Sequence, residues 1–264
     1  MNDLELNLMS KIQYELHEPL NINLPYKIDL VFESIRKEYE GKLGRFKEIE
    51  NRENQRRNNV NYFYNLIQTG VKNSLGATFY NLSSFKQLCS FIRDKATDLL
   101  QGYHSKQPQV IGFSAQKLVV EYEHFTLHSR IVLDRLNWFL NYYFNTDSRN
   151  LYRLYNTLDK NTINNELGKK IMQTIDKHRQ FLDELISLNK TERRTERDHL
   201  AHREEIQFTF INIRIMPDGK ISVIPLSKNK PFEKEADSDL AERFQGLSNF
   251  TEDILHVFFG FSKE

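Results

Sequence analysis

Cysteine is almost missing from this chain, with one residue, Cys89, in 264. A lone thiol excludes an internal disulfide framework and a cysteine-based zinc site, and it fits a reducing compartment. Cys89 sits in Leu88-Cys89-Ser90-Phe91-Ile92, where a buried structural thiol is expected rather than a nucleophile. Glycine (10) and proline (6) are also scarce, which argues against a many-stranded sandwich. Neither sign of charge dominates: 37 basic and 36 acidic residues leave a net +1. The chain is no polycation, so a nucleic-acid contact would need a local patch. No apolar run approaches the roughly 20 residues that span a bilayer. The start Met1-Asn2-Asp3-Leu4-Glu5 lacks the basic residues and apolar run of a secretory signal. A soluble cytoplasmic protein with no membrane partner is therefore expected.

What is present suits helices. Hydrophobic residues make up 39%, aromatics 12% and charged residues 28%, enough for one large core or two small ones. Residues 26–56 predict a long amphipathic helix, with Phe32, Ile35, Tyr39, Leu43, Phe46 and Ile49 on one face. Glu33/Lys37 and Glu38/Lys42 would pair on its wet face, and Gly41 and Gly44 weaken its continuity. The charge run from Lys47 to Arg57 reads as its solvated end. Tyr62 to Ile67 would pack back on it. Ser83 or Ser84 would then cap a helix to about Leu100, with Phe85, Leu88, Ile92, Ala96 and Leu99 inward.

The segment Gly102 to Pro108 breaks the periodicity and marks a boundary between an N-terminal helical region, 1–108, and a second region, 109–264. The second opens on a helix of about 115–144, whose stripe of Leu118, Tyr122, Phe125, Ile131, Leu136, Phe139, Leu140 and Tyr143 is wide enough for a central position. Trp138 and Tyr142-Tyr143 are expected in core packing rather than as stacking platforms. Asp147 or Ser148 would cap a shorter helix through Leu158, and a long helix follows over about 163–188. From 207 the period becomes alternating, and Pro217-Asp218-Gly219-Lys220 predicts the turn of a β-hairpin over about 207–225. Residues 231–237 would be a loop and 238–259 a closing helix. The expected fold class is mainly α.

Between the long helix and the alternating stretch lies Arg197-Asp198-His199-Leu200-Ala201-His202. Histidine titrates near neutrality and suits proton transfer. Arginine carries a permanent planar fork that holds two oxygens of a phosphate. On a helix, Asp198 and His202 share a face, and the acid would orient the imidazole. Thr195 and Asp198 form a possible capping box, which would put Arg197 in a first turn where free N–H groups meet an anion. Arg194 and His199 form a second such pair, and with Arg203 they are the candidates for holding substrate.

This segment resembles the Arg-x4-6-His signature of the HEPN superfamily, over about residues 112–260. Asp198 after the arginine and Leu200-Ala201 before the histidine follow that pattern, as does the order of long, short and long helices upstream. The resemblance implies a helical bundle and a metal-independent endoribonuclease that needs no cofactor. Arg197 and His202 would be its catalytic pair, with Asp198 as the orienting residue. It further implies RNA as substrate, a homodimer that brings two motifs into one cleft, and a toxin or antiphage defence setting with an antitoxin or other partner protein. The segment departs from an RNA groove in charge, because Arg193, Arg194 and Arg203 are offset by Glu192, Glu196, Glu204 and Glu205.

Two other readings stay open. The same face would bind RNA or a protein without cutting it. Alternatively, Glu121-x-x-His124 with Glu196-x-x-His199, and His128 one turn after His124, would hold metal in a helical bundle. Phosphate-binding glycine loops and a nucleophile elbow are absent.

Overall fold

The computed structural model describes residues 24–51, 59–99, 109–113, 116–161, 165–186, 211–215, 220–225 and 235–261. They are mainly helical. Helix α1 (Tyr26–Glu40) buries Ile28, Val31, Phe32 and Ile35. It does not run on to residue 56 as its periodicity predicts. Lys42 (φ 50°) and Gly44 (φ 50°) turn the chain, and a separate short α2 (Gly44–Glu50) buries Phe46 and Ile49. Leu43, expected on the buried face, lies in that turn and is 57% exposed. The predicted pairs of Glu33 and Glu38 are also replaced. Arg36 binds Glu33 at 2.7 Å and Glu40 at 3.0 Å, while Lys42 reaches Glu50 at 3.4 Å.

The turn encloses Glu38. A Cβ on Gly44 would lie 2.6 Å from Glu38 Oε2, the end of a side chain that can move aside, so it is the positive φ that favours glycine there. That oxygen is buried without a hydrogen-bond partner among the described residues. Burial pushes the Glu38 carboxyl up, and neighbouring Arg45 opposes the shift. A carboxyl raised in the folded state favours its protonated form, so its contribution to stability is lost as pH rises through the folded pKa. Glu38→Gln should therefore raise the urea midpoint at neutral pH, and the gain should shrink near about pH 4. An equal gain at both pH values would refute a charge-burial origin.

Helix α3 (Val60–Asn65) is capped by Asn59, whose side chain accepts from Tyr62 N–H. It passes into a π-helix (Leu66–Lys72) and then α4 (Asn73–Leu99). Neither Ser83 nor Ser84 begins this helix. Ser83 Oγ donates back to the Phe79 carbonyl at 3.0 Å, a mid-helix hydroxyl satisfied by its own ladder. Phe85 is buried, and Leu88 and Ile92 pack partly buried on the core; the side chains of Ala96 and Leu99 lie outside the description.

Helix α5 (Gln116–Phe144) packs along this whole segment. The contacts Phe63–Phe139, Gly70–Arg135 and Asn81–His128 run in opposite order, so α5 is antiparallel to α3 and α4. Val132 and Leu133 are buried in place of the expected Ile131, which is 39% exposed. Helix α6 (Leu151–Asn161) starts on neither Asp147 nor Ser148. Asn150 Oδ1 accepts from Arg153 N–H, and the Ser148 carbonyl instead binds Asn137 and Asn141 of α5.

The predicted helix over 163–188 is divided. Asn165 caps α7 (Glu166–Lys177), His178 leaves helical geometry at φ −102° and ψ 13°, and α8 (Arg179–Ile186) follows. Helix α9 (Ala236–Phe259) takes in Ala236 and Asp237, which the sequence predicts to be loop. It runs parallel to α5, through Arg243–Tyr122 and Phe258–Phe139, and antiparallel to α4, through Phe244–Phe79. Gly246 lets α8 close on it, since a Cβ there would meet the Phe181 ring at 2.7 Å.

Strands β1 (Gln109–Phe113), β2 (Ile211–Ile215) and β3 (Ile221–Pro225) form one antiparallel sheet in that order. Ile213 lies opposite Ile111 on one side and Val223 on the other. β3 lies against α4 and α9, with Val223 buried. The connecting residues 216–219, including Pro217, Asp218 and Gly219, and the alternating residues 207–210 lie outside the described set. Apolar side chains from both sides of residue 108 join one continuous core.

Candidate functional site

Arg197, Asp198 and His202, with Arg194, His199 and Arg203, all fall in 187–210, outside the described residues. The structure describes only their two anchors. α8 ends at Ile186 and β2, the middle strand of the sheet, begins at Ile211.

A second group of proton-bearing side chains joins the bend between α7 and α8 to α9. Asp253 of α9 is 9% exposed, and its Oδ2 accepts from Lys177 Nζ at 2.5 Å and His178 Nε2 at 2.9 Å. The His178 ring meets Phe250 edge-on, with centroids 5.4 Å apart. The bend between α7 and α8 turns the imidazole onto the carboxylate. The ring presents Nε2 to the carboxylate, and the Lys177 ammonium sits at the rim. Both partners of the dyad are largely enclosed, so it secures α7 on α9 rather than meeting a substrate. Sequence reasoning misses it because the two residues are 75 positions apart. The available signal is an acid on the apolar face of α9, between buried Phe250 and Ile254.

At the other end of α9, the Arg93 fork binds Glu235 at 2.8 Å and also Asp237. The hydrogen bond to Asp237 is the main cause holding this guanidinium above its ordinary pKa. Cys89 lies one turn away and is buried, as its sequence context predicts. Burial, with Asp237 adding to it, pushes the thiol up to about 12. Native protein should therefore resist alkylation by iodoacetamide at neutral pH, and urea-unfolded protein should take one label per chain. Rapid native labelling would contradict a structural thiol.

Trp138 is expected in the core, and the structure corrects this. Trp138 is 49% exposed and Tyr62 51%. Both line a cavity of about 560 Å³ with Leu66, Tyr142, Asp147 and Arg149. Arg135 lies 4.5 Å from the Trp138 ring centroid, a cation held on a π face. α5 turns this position outward because Asn137, Phe139 and Leu140 take the inward ones. Tyr142 and Tyr143 are part of the aromatic packing around Phe63.

Of the metal reading, His124 is exposed, and His128 Nδ1 faces Asn81 Nδ2 at 2.8 Å. No group of three His, Cys, Asp or Glu side chains converges among the described residues. Glu196 and His199 lie outside them. Among the described residues, no helix is long and apolar enough to cross a membrane. Comparison with family models, curated proteins and solved structures gives no match.

Proposed function

We propose that the protein is a metal-independent endoribonuclease of HEPN type, built on a helical bundle that carries a β-hairpin. The observation that carries this reading is the Arg197-Asp198-x-x-x-His202 spacing. It follows a run of helices, α5 to α8, in a chain whose described residues are mainly helical. Arg197 holds the scissile phosphate, and His202 takes the 2′-hydroxyl proton or returns one to the leaving oxygen. Asp198 orients the imidazole. RNA is the substrate, the products end in 2′,3′-cyclic phosphate, and the setting is cytoplasmic toxin or antiphage defence with a partner or antitoxin protein. Two chains join so that their motifs share a cleft.

The balance of Arg193, Arg194 and Arg203 against Glu192, Glu196, Glu204 and Glu205 favours a second reading. In it the same segment binds RNA or protein and cuts nothing. The test is incubation of total cellular RNA, with EDTA, with wild type beside Arg197→Ala and His202→Ala. Cleavage by wild type alone supports the enzyme. RNA binding without cleavage by all three supports the module.

A further inference from the structure

Exposed large apolar side chains scattered singly need no explanation. Those of α5 are not scattered. Between residues 117 and 144, the exposed positions are Lys117, Val120, His124, Leu127, Ile131 and Trp138, and no others. Four of these six are large hydrophobics, 39–49% exposed. Val120 and Trp138 are five helical turns apart, and Leu127 and Ile131 lie within about 20° of the line joining them. Asp134, whose side chain is 36% exposed, fills the gap. The steps 117, 120, 124, 127, 131, 134 and 138 alternate three and four, the spacing by which one helix seats against another. Every other position from 118 to 144 is buried or half-buried within this chain.

We propose that this stripe is a self-association surface on which α5 of a second copy packs antiparallel about a two-fold axis. The occupant follows from the order of residues along the stripe. An isologous contact pairs residue i with j and j with i. Antiparallel seams of this spacing mesh when the two kinds of step interleave. The register that does so sets Val120 against Ile131, His124 against Leu127 and Lys117 against Asp134. Leu127 then lies over the His124 ring at the centre, Val120 and Ile131 pair on either side of it, and opposite charges close both ends of about 26 Å of helix. Arg130 Nε already lies 3.1 Å from Asp134 Oδ1, so the Lys117 contact sets register more than affinity. Trp138 falls beyond the last pair and stays beside its cavity. The stripe is independent of the Arg197 segment and of the ribonuclease reading, and the contact lies on α5, whatever that segment does.

The experiment is sedimentation equilibrium of the full chain with Leu127→Asp beside it, and with circular dichroism as the control for folding. Wild type should be dimeric, and Leu127→Asp should raise the dimer dissociation constant roughly a hundredfold or more with helix content unchanged. Register is read separately with a short bismaleimide cross-linker. Val120→Cys protein and Ile131→Cys protein should link to each other on mixing and not to themselves. Like positions stand about 16 Å apart along an antiparallel seam, and the buried native thiol stays silent. A wild-type monomer up to its solubility limit would overturn the proposal. So would a dimer indifferent to Leu127→Asp, or self-linking by Val120→Cys, which marks a parallel pair.

Discussion

His202→Ala should lower cleavage of RNA by about 10²–10⁴-fold, the usual worth of a positioned acid or base. The proposed reaction would remove a proton from the 2′-hydroxyl and supply one to the leaving 5′-oxygen. A side chain that titrates near neutrality serves either step, and alanine serves neither. Arg197→Ala should cost a comparable factor for a different reason, since it strips the cation from a phosphate that gains charge in the transition state. Arg197→Lys should restore little, because an ammonium cannot reproduce a two-oxygen fork. The double variant should fall hardly below the worse single one, as expected for residues acting as a unit. Asp198→Asn separates orientation from charge, and a smaller loss there would fit a positioning role. Should His202→Ala and Arg197→Ala retain full cleavage, this mechanism is wrong, whatever else the protein does to RNA.

The site and the fold differ in how far sequence reveals them. The site candidate is a local spacing, and nothing about Arg197 to His202 required a tertiary contact to be noticed. Helices α5 and α9 are similarly local, because a wide apolar stripe at helical period states both the element and its burial. Breaks are harder to see. Tyr39, Phe46 and Ile49 pack on the core from both sides of the turn at Lys42, so the apolar spacing carries across it although Leu43 is exposed. Periodicity alone cannot report that turn, and the glycines at 41 and 44 carried the signal. In the π-helix, the extra residue per turn displaces the apolar phase, so Leu66 to Lys72 disguises the continuity of α3 with α4. His178 interrupts a stripe that resumes in phase, and the reason is Asp253 far along the chain. β1 has the same difficulty, since Val110 and Ile111 become a strand only by pairing with β2, about a hundred residues on. Trp138 shows the limit most plainly. Its type predicts burial, and only the neighbours taking the inward positions of α5 decide otherwise.

Phe63→Ala should destabilise the fold by about 3–5 kcal/mol, the range for deleting a buried aromatic ring. Its ring is fully buried, and rings from three directions surround it. Phe46 comes from α2 at 5.7 Å, Phe139 from α5 at 6.2 Å and Phe258 from α9 at 5.9 Å between centroids. Tyr142 stacks on it at 5.8 Å. Such a site cannot collapse when the ring is removed, because its walls belong to three helices, each held by its own contacts. The position also decides how the chain is divided. Phe63 lies before residue 108, whereas Phe139, Tyr142 and Phe258 lie after it. If the two regions fold as one unit, wild type should unfold in a single urea transition, and Phe63→Ala should shift the whole of it to a lower midpoint with an unchanged slope. If they fold separately, the variant should show two steps, the later one at the wild-type midpoint. Fluorescence of Trp138, the chain's one tryptophan, reports the later region. Far-ultraviolet circular dichroism reports both, so coincidence of the two curves is the result that a shared core requires.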